Sequence, residues 1–212
     1  MYSTKTGLII AFHGCDQEVC DNVLNGKARL LQSENDYDWL GNGIYFWENN
    51  LKRAWQFAEE LKSNPRPGKR PILQPAVLGA VIDLGECLDL MDSEYLETVK
   101  DNYHKLELSY QIMGLKLPTN KRGKGSEDLL LRNLDCLVIE SLHKRILPLS
   151  FDSVRGVFWE GDELYHNAGF KEKNHIQICI RNPNCIKATF CQENWMPRIK
   201  KCDFFSVNFF HF

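Results

Sequence analysis

Long apolar runs are missing from this sequence. Near the N-terminus the run Leu8 to Phe12 holds five residues, whereas a membrane span needs roughly 20 and the core of a secretory leader at least roughly 7. The expectation is a soluble, cytoplasmic chain with no membrane partner. A dominant charge sign is missing too: 26 Lys and Arg stand against 28 Asp and Glu, a formal net charge of -2. No global field then gathers polyanions, and a phosphate-bearing partner must be held by a local patch. GxGxxG behind a strand and GxxxxGK[ST] are both absent, which argues against Rossmann and P-loop nucleotide sites. There is no GxSxG elbow, and Ser141-x-His143 falls mid-helix, so a hydrolase triad has no frame. Cysteine is not scarce, at eight residues, but CxxC spacing is. Cys179, Cys185 and Cys191 are too far apart for a knuckle, and His13 near Cys15 and Cys20 has no matching second pair. Free buried thiols and no metal site are expected, and nothing beyond adjacency to His13 would make Cys15 a nucleophile.

What is present is a globular composition, 43% hydrophobic and 25% charged, of a length that suits one domain over residues 1–212. Gly7 to Phe12 reads as a short buried strand broken at His13-Gly14, and Asp16 can cap a helix from Gln17 to about Leu24. The polar stretch Gln32 to Asn42 carries Tyr37, Trp39 and Leu40 and reads as a lid or binding loop. Gly43 to Trp47 is a second strand. A helix capped by Asn49 or Asn50 then runs through Lys62, with Ala54, Phe57, Ala58 and Leu61 on its inner face. Ser63 to Pro71 is a basic, Pro-rich loop. Ala76 to Leu84 follows as a strand. Ser93 to about Met113 and Glu127 to Lys144 are helices around the basic loop Leu117 to Ser126. Ser153 to Trp159, His175 to Ile180 and Cys185 to Phe190 are late strands, and the acidic turn Glu160 to Glu163 reads as a solvated loop, with a place facing a second substrate as the alternative. Helices gathered early and strands spread to the end predict an α+β architecture.

Three segments carry the chemistry: "AFHGC", "DYDWLGNGIYFWENNLKRAWQFA" and "NHIQICI". By itself His13 fits a strand-end histidine satisfied by a carbonyl, and Tyr45 fits one side of an alternating strand. Together, in this order, the segments resemble the diphtheria-toxin and poly(ADP-ribose) polymerase class of ADP-ribosyltransferases, from Phe12 to about Phe190. The resemblance implies a split β-sandwich with flanking helices around an NAD+ cleft. It also implies roles: His13 on a ribose hydroxyl, the Gly14 backbone on the nicotinamide carboxamide, and Tyr45 stacked on the nicotinamide ring. Gly43 would keep the backbone close to the ligand, and Trp39 would sit in the loop over the donor site. Physically these are sound, since glycine admits close approach and an aromatic face suits a flat pyridinium cation.

At the third position the transferases commonly place a late-strand glutamate that stabilises the oxocarbenium-like cation. Here Gln177 stands at the corresponding place, with Glu172 just before the strand. Strand alternation favours Gln177, with Ile176, Ile178 and Ile180 on the other face. Arg155 either pairs with Asp152 or Glu160 or binds a pyrophosphate. The implied activity is mono-ADP-ribosyl transfer from NAD+ as co-substrate to a protein or nucleic-acid acceptor. The family's habits further suggest a bacterial toxin or defence effector checked by an inhibitory antitoxin protein. Two alternatives stay open: an NAD+ glycohydrolase, and a catalytically silent binding module that keeps the fold.

Overall fold

In the N-terminal strand the residues that pack inward start the sheet: β1 spans Ile9–Asp16 and pairs along its whole length with β3, Pro75–Ile82, from Ile9 opposite Ile82 to Asp16 opposite Pro75. The computed structural model describes residues 7–191 apart from 124, 126 and 146–149. Part of the basic loop expected over Leu117 to Ser126, at 124 and 126, therefore lies outside the described residues. The predicted break at His13-Gly14 does not occur, because the β3 ladder carries β1 through it. Gly14 has a packing reason: a Cβ there would collide with the backbone carbonyl of Ala54. Helix α2, Leu51–Ser63, can approach β1 because that Cβ is absent.

The first helix, α1 (Gln17–Leu24), is capped as expected by Asp16, which accepts from the Glu18 N–H at 3.0 Å. The other carboxylate oxygen accepts from the N–H groups of Leu73 and Gln74 at 2.6 and 3.0 Å, which ties the loop before β3 to the same residue. Helix α2 is capped by Asn50, accepting from the Arg53 N–H at 3.0 Å. Strand β2 is Ile44–Glu48. After β3 comes a short strand, β4 (Cys87–Asp89), that sequence reading missed: at three residues it is too short to show an alternating pattern.

Helix α3 (Ser93–Ile112) is as expected, whereas α4 (Asn133–Arg145) begins six residues after Glu127. The reason is local. Leu131 pairs back onto Lys121, and the Asn120 side chain accepts from the N–H groups of Leu134 and Asp135 at 2.9 and 3.3 Å, capping the helix from a distant loop. Among the described residues, strands β5 (Ser153–Phe158), β6 (His175–Ile180) and β7 (Ile186–Cys191) complete an α+β fold of four α-helices on a mixed seven-stranded sheet, ordered β4-β5-β6-β2-β1-β3-β7. Among the described strands only the β4 and β5 pairing is parallel.

Two apolar layers hold the sheet. On one face Ile44, Phe46, Ile178 and Ile180 meet Ala11, Ala80 and Ile82. On the other, Val154, Leu88 and Cys179 pack under Ile139 and Leu142 of α4. Burying one such aliphatic side chain is worth about 1.5–3 kcal/mol. The seven described cysteines are free, six of them buried. Among the described residues no group of three His, Cys, Asp or Glu could hold a metal ion, and no helix is long and apolar enough to cross a membrane.

Candidate active site

The strands β1 and β2 are joined at one end only, with Ala11 opposite Glu48 and Phe12 opposite Trp47. Past Phe12, β1 continues on β3 while β2 continues on β6. A cleft of about 410 Å³ opens at the divergence, lined by His13 and Gly14 on one side and Gly43, Tyr45 and Trp47 on the other. Trp39 and Gln177 line it as well. Six of the seven positions singled out from sequence therefore share one cavity of ligand size.

A hydrogen bond spans the opening, from His13 Nδ1 to the Tyr45 carbonyl oxygen at 2.8 Å. A carbonyl only accepts, so Nδ1 carries the hydrogen and Nε2 is a lone pair. Burial pushes the imidazole below its usual pKa against the opposing pull of that hydrogen bond, and the ring is neutral. Nε2 is therefore an acceptor, suited to receive a hydrogen bond from a hydroxyl.

The Tyr45 hydroxyl donates to the Gly41 carbonyl at 2.7 Å and accepts from the Leu40 N–H at 2.9 Å. Burial raises its pKa well above the usual tyrosine value, so the phenol stays neutral and its ring is what remains for a ligand. The lid loop is pinned by this hydroxyl. Trp39 is anchored too, its Nε1 donating to the Leu130 carbonyl at 2.9 Å while Arg132 lies 4.4 Å over its ring. A Cβ on Gly43 would run into Cys179 Sγ and the Ile180 carbonyl, so glycine is required there by the β6 strand.

Gln177 stands opposite Trp47 in the β2–β6 ladder and shares a strand face with His175 and Cys179. Glu172 is exposed and outside the cleft lining, its backbone held by the Asp162 carbonyl. Arg155 does not line the cleft either. Its guanidinium is spent on Glu48, with Nη2 to Oε1 at 3.0 Å, and on Asp89 at 3.2 Å. Neither Asp152 nor Glu160, the partners expected from sequence, takes it. Two further chemistries lose their footing. Cys15 is buried with its thiol pushed up to about 12, which leaves no thiolate. Ser141 Oγ bonds the Val138 carbonyl under Asn102, and His143 Nδ1 bonds the Ile139 carbonyl.

Arg53 is among the cleft residues that sequence reading missed, and Glu160 was placed near a substrate only as the alternative. Helix α2 carries two parallel stripes: Ala54 and Ala58 enter the core, while Arg53, Phe57 and Leu61, spaced by four, face the cleft. Glu160 was expected in a solvated turn, yet it is 7% exposed. The signal was alternation carried past β5, since Val154, Gly156, Phe158 and Glu160 fall in one phase, opposed by exposed Val157 and Trp159. Arg53 Nη2 lies 3.7 Å from Glu160 Oε2, and Lys173 pairs with Glu60 at 2.9 Å on the same side of the cleft.

Beside Glu160, His175 is buried between Trp47 and Phe158, with its Nδ1 on the Lys173 carbonyl at 2.6 Å. Burial lowers its pKa to about 4, against an ordinary 6.5. The folded state thus binds a proton less readily than the unfolded state, and stability present above pH 6.5 is lost as the pH falls toward 4, by about 3 kcal/mol. Thermal melts of wild type and His175→Phe between pH 7 and 4.5 check this. The wild type should lose more stability across that window, and parallel curves would refute it.

No family model matches the chain, and no solved structure matches it. Over 192 residues, 83% of this chain and 83% of the other, it is 26% identical to an uncharacterized protein of Methanocaldococcus jannaschii.

Proposed function

We propose that this protein is a mono-ADP-ribosyltransferase that cleaves NAD+ at the nicotinamide-ribose bond and transfers ADP-ribose to a macromolecular acceptor. One observation carries the reading: His13, Gly14, Tyr45 and Gln177, drawn from three strands far apart in sequence, line a single cleft where β1 and β2 part. In this reading the parting of β1 from β2 within the seven-stranded sheet would divide it into two halves, β1, β3 and β7 against β2, β6, β5 and β4, as a split β-sandwich requires. In this reading the Gly14 backbone holds the carboxamide, the Tyr45 ring supports the pyridinium, and His13 Nε2 accepts from a ribose hydroxyl. Gln177 holds the ribose by a neutral hydrogen bond, which suits single-unit transfer.

Incubation with NAD+ labelled in its adenylate half tests it. Nicotinamide release with label on a macromolecule is the expected result. Release with free ADP-ribose alone would make the protein a glycohydrolase, and no release at all would leave a silent module and defeat the proposal.

A further inference from the structure

Gln177 supplies no negative charge, and the cleft has a buried carboxylate elsewhere. Glu160 lies one side-chain step from Gln177: His175 is two residues before Gln177 on the same β6 face, about 7 Å along the strand, and its Nε2 is 3.9 Å from Glu160 Oε1. Neither that contact nor the 3.7 Å approach of Arg53 is a hydrogen bond.

Around this carboxylate are buried polar atoms that make no hydrogen bond. Arg53, 6% exposed, makes no hydrogen bond from Nε or from Nη1, although Nη1 lies 3.6 Å from Glu60 Oε1, and neither the indole Nε1 of Trp47 nor the lone pair of His175 Nε2 is matched. Arg53 and Trp47 line the cleft. Unmatched buried donors cost stability unless something binds them. The group that satisfies the set is an oxygen bearing a hydrogen, which accepts from Arg53 or Trp47 while donating to Glu160. An ammonium or guanidinium has no acceptor atom and would leave those donors unmatched.

We propose that Glu160 is the catalytic base for an uncharged hydroxyl acceptor, a macromolecular hydroxyl or water, bound between it and Arg53. This rests on the NAD+-cleaving reading of the same cleft. The glycosidic C–N bond breaks with its electron pair passing to the nicotinamide nitrogen, the acceptor oxygen forms the new bond to the ribose carbon, and its proton moves to Glu160 and then to solvent. Burial raises the Glu160 pKa, offset by Arg53 and Lys173 and assisted by Asp128 and Glu60, which brings the carboxylate nearer to a base working at neutral pH.

Two measurements decide it. Wild-type protein is given NAD+ with equal ethylene glycol and agmatine, and the products are read by mass spectrometry. ADP-ribose on glycol oxygen or as the free sugar is expected, the two products separating a hydroxyl acceptor from water. An adduct on agmatine nitrogen overturns the assignment, whether or not any variant folds. Second, Glu160→Gln should slow nicotinamide release by about 100-fold, and sodium azide, an anion that needs no deprotonation, should bring it back to within about 10-fold of wild type. Unchanged release in Glu160→Gln, or loss that azide does not restore, sinks the role of Glu160. Failure of the wild type itself to release nicotinamide defeats the underlying reading instead.

Discussion

His13→Asn releases nicotinamide from NAD+ at least about 100-fold more slowly than wild type. Asparagine is chosen because its amide nitrogen occupies nearly the place of imidazole Nδ1 and can keep the bond to the Tyr45 carbonyl, 2.8 Å away in wild type. What it removes is Nε2, the lone pair that would receive a ribose hydroxyl. A preorganised acceptor of this kind needs no reorganisation when charge develops at the ribose, which is why losing it is expected in kcat more than in KM. His13→Ala loses the bond across the opening as well and should be no faster. If the asparagine variant turns over within about threefold of wild type, the imidazole is a structural clasp across the strands and not a ligand group.

Arg155→Met should destabilise the fold by about 3–5 kcal/mol. The guanidinium is buried, 5% exposed, and bonds two carboxylates from different strands, Glu48 at the end of β2 and Asp89 at the end of β4. Methionine fills much of the volume but removes the cation that both acids share, and the Met91 N–H that Asp89 also accepts from at 3.2 Å does not neutralise its charge. For a chain of this size the melting temperature should fall by on the order of 10 °C. Adding Glu48→Met and Asp89→Leu removes the stranded charges and should restore most of the loss. A drop under about 3 °C in the single variant would mean that water reaches the acids and that the cluster is not buried in solution. Activity in the surviving folded fraction should persist, because Arg155 lines no part of the cleft.

Much of the site was legible because the residues stand on short, strongly patterned segments. "GIYFW" alternates as a strand must, and its Tyr45 and Trp47 share the face that reaches Cys179 and Gln177. Alternation likewise separated Gln177 from the isoleucines around it. The Asp16 cap before Gln17 was readable for a similar reason, since a side chain bonding two residues ahead is local chemistry.

Other features depended on partners that no local pattern names. His13 and Gly14 look like a break until β3 supplies a ladder for them. The start of α4 moved because Asn120, more than ten residues upstream, provides its cap. Arg155 was expected to pair with Asp152 or Glu160 or to bind a pyrophosphate and found Glu48 and Asp89, and Glu160, read first as solvated, sits against Arg53. An ion pair is selected by which charges arrive within a few ångströms in a region that excludes water, and sequence distance says nothing about that.

By itself, then, the chain determined most of its element types, its α+β class and the short list of residues that meet in the cleft, because periodicity and side-chain chemistry are properties of a few adjacent residues. Only the tertiary structure decided that β1 and β2 part after Phe12, that the imidazole is an acceptor, and that a carboxylate waits beside Arg53. Those outcomes depend on strand neighbours and burial, which exist only once distant segments have packed.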